Sequence, residues 1–175
     1  YSISKGLKIN DSIIKNALKT FKGVKRRFSI IYNSPDTMII DDYAHHPKEI
    51  KMTLNALKQI TVNKIIAIFE PHRFSRIREL KEDFINSFEN ADIIFVLPIY
   101  TAGEKSIKTI NNFELSKLFK KKYKKKIISS IDGSKSNFNE IRKIISRKDN
   151  IIFLGAGLSS GIAEEFKNFI EKNEQ

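Results

Sequence analysis

Short, almost uninterrupted apolar segments alternate along the chain with segments in which apolar residues recur every three or four positions. The first kind is typical of β-strands buried on both faces of a sheet, and the second kind of amphipathic helices. The strand-like segments are residues 64–69, 92–97, 126–131 and 150–154. The helix-like segments are residues 47–60, 76–89, 113–123, 137–146 and 159–171. This alternation predicts an α/β fold with a mainly parallel sheet, right-handed crossovers and helices on both faces.

The start of the chain follows a different pattern. Residues 1–22 are predicted to form a polar start and a single helix, capped by Asn10 or Asp11. Two short apolar runs follow at residues 28–32 and 37–41, and the sequence Asn-Ser-Pro-Asp between them is a turn signal. We therefore predict an N-terminal β-hairpin ahead of the parallel strands.

Polar and titratable residues are concentrated directly after the predicted strands. The segments concerned are residues 41–47 (DDYAHHP), 70–76 (EPHRFSR), 98–104 (PIYTAGE), 131–134 (IDGS) and 155–161 (GAGLSSG). Ligands of open parallel sheets bind outside the carboxyl ends of the strands. The sequence therefore predicts a ligand site where these segments meet on one edge of the sheet.

Two of these segments contain the three histidines of the chain. Arg73 and Arg76 flank a predicted helix start beside His72, and their guanidinium groups can hold a carboxylate or phosphate, assisted by the helix N-terminus. One of His45 and His46 is predicted to form hydrogen bonds or handle protons, and the other to serve the structure. No metal site is predicted at this pair, because adjacent residues rarely reach one ion and no third ligand has suitable spacing.

Two further features concern nucleotides. Asp41 and Asp42 alternate across a strand end, so one is expected to face the crevice, and an acidic residue placed there can accept hydrogen bonds from ribose hydroxyls. The spacing of Gly155, Gly157 and Gly161 is weak as a dinucleotide fingerprint but suits a tight turn that brings backbone close to a ligand. No P-loop sequence, G-x-x-x-x-G-K-[ST], occurs in the chain.

The chain of 175 residues has a formal net charge of +12, which makes nucleic acid a candidate partner. Much of the excess lies in residues 117–126, where three apolar residues recur at helical spacing among the lysines. We interpret the lysines as a solvated helix face and expect no nucleic-acid partner, a binding patch being the alternative. The chain has no cysteine, no apolar run long enough to span a membrane and no secretory h-region. We therefore expect a cytoplasmic protein without membrane contact.

Five segments together resemble the C-terminal part of the Mur ligase family, and they occur in the family's order. They are residues 21–28 (FKGVKRRF), 41–47 (DDYAHHP), 71–76 (PHRFSR), 100–104 (YTAGE) and 155–157 (GAG). The resemblance covers essentially the whole chain. It is strongest to the members that join L-alanine to UDP-N-acetylmuramate. A related member that attaches a recycled tripeptide is similar around the His-His-Pro turn, but PHRFSR favours the alanine enzymes.

The resemblance implies a Rossmann-like, doubly wound C-terminal domain at residues 23–175, preceded at residues 1–22 by the last helix of a central ATP-binding domain. In the family, a UDP-sugar-binding domain and the central domain with its P-loop complete the enzyme. The UDP-sugar-binding domain, the P-loop and the magnesium ligands have no counterpart here, so we expect the chain alone to be inactive. The implied activity belongs to peptidoglycan precursor synthesis: ATP phosphorylates the muramoyl carboxylate, and the amine of L-alanine attacks the acyl phosphate.

The same resemblance implies roles for individual residues. Arg27 and Asp42 would reach ATP, Asp42 at the ribose. Mg²⁺ would accompany ATP in the complete enzyme, with its ligands outside this chain. A stand-alone or degenerate nucleotide- or anion-binding module without ligase activity is the alternative. The side chains that would surround L-alanine, with the arginines on its carboxylate, are His45, His72, Arg73 and Arg76.

Overall fold

A computed structural model of the chain describes residues 1–21 and 23–173. Its helices are α1 (Ser2–Gly6), α2 (Asp11–Thr20), α3 (Pro47–Ile60), α4 (Phe74–Glu79), α5 (Lys81–Asn86), α6 (Asn112–Lys122), α7 (Lys135–Ile144) and α8 (Ser159–Asn173). Its strands are β1 (Ser29–Asn33), β2 (Thr37–Asp42), β3 (Ile65–Phe69), β4 (Ile93–Val96), β5 (Ile127–Ser130) and β6 (Asp149–Leu154). Across the described residues, no helix combines the length and the apolar character that crossing a membrane requires.

The strands of the described residues form one sheet in the order β1-β2-β6-β3-β4-β5. β1 and β2 form an antiparallel hairpin, in which Ser29 lies opposite Asp41 and Asn33 opposite Met38. All other neighbouring strands are parallel, and the last strand of the chain, β6, lies between β2 and β3. This arrangement confirms the predicted doubly wound, Rossmann-like sheet with its N-terminal hairpin.

The two faces of the sheet pack against separate groups of helices. On one face, α3 and α6 contribute Leu54 and Phe119, and on the other face α7 and α8 contribute Phe138 and Phe166. Alternate side chains of a strand point to opposite faces. The uninterrupted apolar run Ile65–Phe69 therefore supplies both cores, which is why this strand reads as apolar at every position.

The N-terminal part differs from the single helix that we predicted within residues 1–22. Its described residues form two short helices, and Lys22, at the end of the predicted helix, lies outside the described residues. Asn10 caps α2, because its Oδ1 accepts a hydrogen bond from the Ser12 amide at 2.9 Å. Lys8 has a φ of 55°, a backbone conformation that interrupts a right-handed helix and separates α1 from α2.

α1 and α2 leave most of their apolar side chains exposed. Within residues 1–21, Ile14 alone is buried, and this part of the chain contributes nothing to the two cores described above. The large apolar side chains that remain exposed here include Ile3, Leu7, Ile13, Leu18 and Phe21.

The helix predicted at residues 76–89 is two helices in the structure. Leu80 lies between α4 and α5 with φ −110° and ψ 24°, outside the helical region. Ile77 before the break and Phe84 after it are both buried in the same core. The apolar spacing therefore continues through the break, so periodicity alone could not reveal it.

We expect the backbone amides of α2 to exchange with solvent much faster than those of β3. Among residues 1–21 only Ile14 is buried, whereas β3 is buried along its whole length between two neighbouring strands. Hydrogen–deuterium exchange followed by mass spectrometry measures the difference. Exchange in residues 11–20 as slow as in residues 65–69 would show that α2 is held firmly by the rest of the chain.

Candidate functional site

The order of the strands brings four of the predicted segments together at the carboxyl ends of neighbouring strands. β2 ends at Asp42, β6 at Leu154, β3 at Phe69 and β4 at Val96, and these strands are parallel neighbours in that order. The segments that follow them therefore lie side by side, as predicted. The remaining segment, residues 131–134, follows β5 at the outer edge of the sheet.

Four aromatic rings cross these strand ends in a line, which we call the aromatic row. The ring centroids of Tyr43 and His45 are 5.1 Å apart, those of His45 and His72 are 5.3 Å apart, and those of His72 and Tyr100 are 5.3 Å apart. Such separations are favourable for aromatic contacts. The backbones of His72 and Tyr100 also form a parallel bridge. The row fixes two histidines side by side at its centre.

The adjacent histidines 45 and 46 have different roles. His46 is the N-cap residue of α3, and its Nδ1 accepts a hydrogen bond from the Lys48 amide at 3.3 Å. Glu49 completes the cap, since its carboxylate accepts hydrogen bonds from the amides of His45 and His46 at 3.1 and 3.2 Å. His45 belongs to the aromatic row instead. The structure thus places His45 at the site and His46 at the helix start, which resolves the alternative left by the sequence.

His72 is held as a neutral imidazole. Partial burial lowers its pKa to about 4, and the nearby His45, Arg76 and Arg73 act in the same direction. Its Nδ1 lies 3.3 Å from Nη1 of Arg76. Because the ring carries no charge at neutral pH, it does not add to the positive charge of the two arginines and can form hydrogen bonds beside them.

Arg73 and Arg76 form no salt bridge in the described part of the chain, although Arg73 is near enough to Glu104 to help lower the pKa of that carboxyl. Arg73 is exposed and Arg76 is half-buried. The backbone of Arg73 has φ 70° and ψ 129°, and its amide donates a hydrogen bond to the Tyr100 carbonyl at 2.9 Å. Such a conformation costs a non-glycine residue roughly 1–3 kcal/mol and is concentrated at ligand sites. The geometry therefore leaves two cations free to bind an anion.

The start of α4 is already occupied by a carboxylate. Glu104 accepts hydrogen bonds from the hydroxyl and the amide of Ser75 at 2.5 and 3.0 Å, and these bonds lower the pKa of Glu104. Our expectation that this helix N-terminus assists the arginines in holding an anion is therefore wrong. Glu104 instead ties the segment after β4 to the segment after β3, and so fixes Arg73 and Arg76 relative to Tyr100.

Asp41 lies beneath the site in a buried cluster. Its Oδ2 accepts a hydrogen bond from the Ser160 hydroxyl at 2.7 Å and lies 3.5 Å from Nε of Arg26. Burial raises the pKa of Asp41, although Ser160 and Arg26 act against this shift. Arg26 also donates to the Gly155 carbonyl at 2.7 Å. This cluster attaches the residues before β1 to the start of α8.

Asp42 is also buried, and both of its carboxylate oxygens accept backbone hydrogen bonds. Oδ2 accepts from the Phe28 amide at 2.6 Å, and Oδ1 accepts from the Ala44 amide at 2.7 Å. Asp42 thereby holds the segment that contains Arg27, whose exposed guanidinium lies 5.4 Å from the centroid of the Tyr43 ring. The sequence predicted that one of the two aspartates faces the crevice, but in this structure both are used beneath it.

The glycine-rich loop after β6 binds the carboxylate of Glu70. Glu70 is buried, and its carboxylate accepts hydrogen bonds from the amides of Gly157 and Leu158 at 2.8 and 2.7 Å. A Cβ on Gly157 would lie 2.4 Å from the Tyr100 ring, and one on Gly155 would lie 2.8 Å from Glu70. The turn that we expected to approach a ligand therefore approaches Glu70 and Tyr100.

The sequence reasoning missed several residues that hold the site together. Glu49 could have been found, because it lies three residues after His46 at the spacing of a capping box. Glu70, Tyr100 and Glu104 stood in the strand-end segments, but no local signal indicates that they contact a different segment. These three act through the tertiary structure alone.

Two further features of the described residues bear on possible ligands. No three His, Asp or Glu side chains within residues 1–21 and 23–173 lie close enough to hold a metal ion.

In the lysine-rich run, Lys117 lies over the Phe113 ring and pairs with Glu114 at 2.9 Å. Lys126 donates hydrogen bonds to backbone carbonyls, among them that of Phe88 at 3.0 Å. At least these two lysines therefore have structural roles.

We expect Gly157→Ala to destabilise the chain by about 1–3 kcal/mol, because its Cβ would overlap the Tyr100 ring. Gly161→Ala is the matched control, since nothing lies within 4 Å of a Cβ there, and alanine within a helix stabilises by up to about 1 kcal/mol. Urea unfolding measures both effects. Equal stability of the two variants would show that Tyr100 moves aside without cost.

The low pKa of His72 should make stability depend on pH. Between pH 6.5 and about 4, the unfolded chain binds a proton at His72 that the folded chain does not bind. Unfolding is therefore coupled to proton uptake, and stability falls as the pH decreases through this window. We expect the unmodified chain to lose more stability there than His72→Gln, which cannot titrate. Urea unfolding against pH measures both proteins, and parallel curves would contradict the low pKa.

Comparisons with known proteins identify the same family. The family model described as "Mur ligase, glutamate ligase domain" matches residues 26–157. The UDP-N-acetylmuramate–L-alanine ligase of Persephonella marina is 39% identical over 174 residues, which are 99% of this chain and 38% of that protein. The crystal structure of the UDP-N-acetylmuramate-alanine ligase of Thermotoga maritima has a TM-score of 0.74 at 27% identity, covering 98% of this chain and 36% of that one.

A more distant structure agrees at the level of the fold. The MurF ligase of Thermotoga maritima, solved in complex with ADP, has a TM-score of 0.69 at 18% identity and covers 98% of this chain and 37% of that one. The chain thus spans little more than a third of the length of these proteins. The family model covers most of the chain, and the relatives match nearly all of it. The chain therefore belongs to the Mur ligase family, of which it carries the C-terminal domain.

Proposed function

We propose that the chain is the amino-acid-binding part of an ATP-dependent ligase that joins L-alanine to UDP-N-acetylmuramate in peptidoglycan precursor synthesis. The observation that carries the proposal is the pair of cations Arg73 and Arg76 beside a neutral His72, with no salt bridge to either arginine among the described residues. A guanidinium binds a carboxylate through two parallel hydrogen bonds. The relative from Persephonella marina, at 39% identity, supports L-alanine as the ligand.

The aromatic row supplies the remaining wall of the proposed L-alanine site. His45 is 19% exposed and lies between Tyr43 and His72. A ligand whose carboxylate binds Arg73 and Arg76 would bring its amine and methyl group against these rings. The site thus suits a small amino acid that carries both charges close together.

We propose that ATP binds at the rim formed by Arg27. Its guanidinium is exposed and lies over the Tyr43 ring, which suits contact with a phosphate. Asp42 is proposed to serve the ribose, and a carboxylate has about four acceptor positions, so it can accept a further hydrogen bond besides the amides of Phe28 and Ala44. That contact requires access to a side chain that is now only 5% exposed.

Residues 1–22 are proposed to belong to the end of a central ATP-binding domain, and residues 23–175 to the C-terminal domain. The exposed apolar side chains of α1 and α2 support this division. Without a P-loop the chain is not expected to hydrolyse ATP alone. Mg²⁺ is proposed to accompany ATP in the complete enzyme, with ligands outside this chain, because the described residues contain no cluster of His, Asp or Glu side chains that could hold a metal ion. We place the reaction in the cytoplasm, where ATP is available and where a chain without cysteine needs no oxidising environment.

In the proposed reaction, ATP first phosphorylates the muramoyl carboxylate outside this domain. The uncharged amine of L-alanine then attacks the acyl carbon: the C–N bond forms, the C–O bond to phosphate breaks, inorganic phosphate leaves, and the nitrogen loses one proton to solvent. The contribution of this domain is to hold the amine at the right place and orientation, which can account for much of the rate enhancement of such a reaction. Closure against the remaining domains would exclude water from the acyl phosphate.

The experiment uses the chain joined to the remaining part of the Persephonella marina relative, in place of the segment that it matches. We expect Arg73→Ala and Arg76→Ala to raise the KM for L-alanine by about ten- to a hundredfold, the value of a charge-assisted hydrogen bond, with little change in the KM for ATP. Lysine at either position should restore part of the lost affinity for L-alanine, because it keeps the positive charge but lacks the two parallel N–H donors of a guanidinium. Release of phosphate with L-alanine as the varied substrate measures these values.

Arg78→Ala is the matched control, since Arg78 is an exposed arginine of the same helix and lies 3.9 Å from Glu79. It should leave both KM values unchanged. An unchanged KM for L-alanine in the Arg73 and Arg76 variants, together with a raised KM for ATP, would reverse the assignment of the two subsites. Saturation by a peptide in place of L-alanine would favour the related ligase that attaches a recycled tripeptide.

A further inference from the structure

The ring nitrogens of His45 have fixed roles. Its Nδ1 lies 2.9 Å from the carbonyl oxygen of Tyr43 and 3.5 Å from Oε2 of Glu49. Burial alone would raise the pKa of Glu49, but hydrogen bonds from the amides of His45 and His46 hold that pKa below its ordinary value. Both neighbours of Nδ1 are therefore acceptors, so Nδ1 carries the hydrogen. In the neutral ring, Nε2 of His45 is then an acceptor.

His72 has the opposite arrangement. Its Nδ1 lies 3.3 Å from Nη1 of Arg76, and a guanidinium has donors only. Nδ1 of His72 is therefore the acceptor, and Nε2 carries the hydrogen. The neutral state of His72 agrees with this assignment.

Nε2 of His45 is thus a hydrogen-bond acceptor, whereas Nε2 of His72 is a donor. Neither Nε2 has a hydrogen-bond partner among the described residues. The ring centroids are only 5.3 Å apart, so one small ligand can reach both rings. A ligand that satisfies both atoms must carry a donor group and an acceptor group close together. The donor and acceptor groups of an α-amino acid, its amine and its carboxylate, are separated by a single carbon atom.

We propose that His45 and His72 form a polarity pair that orients the amino acid: Nε2 of His45 accepts a hydrogen bond from the amine, and Nε2–H of His72 donates one to the carboxylate. This inference rests on the proposed function for the identity of the ligand, but the tautomers that it requires are properties of this chain. The carbonyl of Tyr43 and Glu49 set the tautomer of His45, and Arg76 sets that of His72. Glu49 and Arg76 are in this respect positioning residues.

Long-range ¹H–¹⁵N correlation spectra of the ¹⁵N-labelled chain, at a pH where the imidazoles are neutral, report the tautomer of each histidine directly. There are only three histidines to assign, and His46, whose Nδ1 accepts from the Lys48 amide, provides an Nε2–H reference. We expect His45 to be in the Nδ1–H tautomer, and His46 and His72 in the Nε2–H tautomer. Three rings in the Nε2–H tautomer would overturn the proposal, whatever the enzyme's substrate.

A pair of variants tests how the tautomer of His72 is set. Arg76→Met removes the donor at Nδ1, so the ring of His72 should become a mixture of tautomers. Arg73→Met removes the neighbouring cation, which makes no hydrogen bond to the ring, and the tautomer should stay unchanged. A tautomer of His72 that is indifferent to Arg76→Met would show that another group sets it.

The ligand half of the proposal is tested in the joined enzyme with L-alanine and with propionate, which keeps the carboxylate and the methyl group but lacks the amine. His45→Phe keeps a ring in the aromatic row and removes both nitrogens. It should raise the KM for L-alanine by about ten- to a hundredfold and leave inhibition by propionate unchanged. Arg76→Met should weaken both ligands.

The outcomes separate the two proposals. Equal weakening of L-alanine and propionate by His45→Phe would overturn the role of His45 while leaving L-alanine as the substrate. Absence of L-alanine-dependent turnover in the unmodified joined enzyme would count against the proposed function, and the tautomers measured in the isolated chain would still decide whether the polarity pair exists.

Discussion

The candidate site depends on the position of β6 between β2 and β3. β6 pairs with β2 from Asp149 opposite Thr37 to Leu154 opposite Asp42, and with β3 along its other side. The last strand of the chain thus joins two earlier ones that are not paired with each other. His45 follows β2 and His72 follows β3, so their contact requires this non-local pairing. Pairings of this kind form slowly, and the aromatic row is complete only when β2, β6, β3 and β4 have assembled.

Carboxylates at the strand ends accept backbone hydrogen bonds, and their placement decides which arginines of the candidate site are left without a salt bridge. Asp42, Glu49, Glu70 and Glu104 each accept at least one backbone amide hydrogen bond from a residue at this edge of the sheet. A buried or partly buried carboxylate is tolerated where such charge-assisted bonds satisfy it. Because backbone amides satisfy these acids, neither Arg73 nor Arg76 forms a salt bridge among the described residues. The acidic residues at the strand ends therefore leave both guanidinium groups available, as the proposed site requires.

The apolar pattern was sufficient to predict the strands, most helices, the parallel sheet and the meeting of the polar segments at the carboxyl ends of the strands. It failed where tertiary contacts override local spacing. The break at Leu80 is invisible because both flanking helices face the same core. The occupation of the α4 start by Glu104 depends on a contact between Ser75 and a segment 29 residues away. The choice between His45 and His46 could have been predicted, because Glu49 lies three residues after His46 and this spacing identifies His46 as the N-cap of a capping box.

The junction between the N-terminal helices and the sheet shows where the attachment of the chain to the sheet begins. Arg26 is attached to Gly155 and Asp41, and the amide of Phe28 is attached to Asp42, so the chain is fixed to the sheet from residue 26 onward. Residues 23–25 are exposed, and Gly23 has a φ of 84°, a conformation open to glycine. The contacts that fix the chain to the sheet therefore begin at Arg26. The aromatic row and the two arginines all lie beyond this residue, so their mutual geometry is set by the sheet and not by α1 and α2.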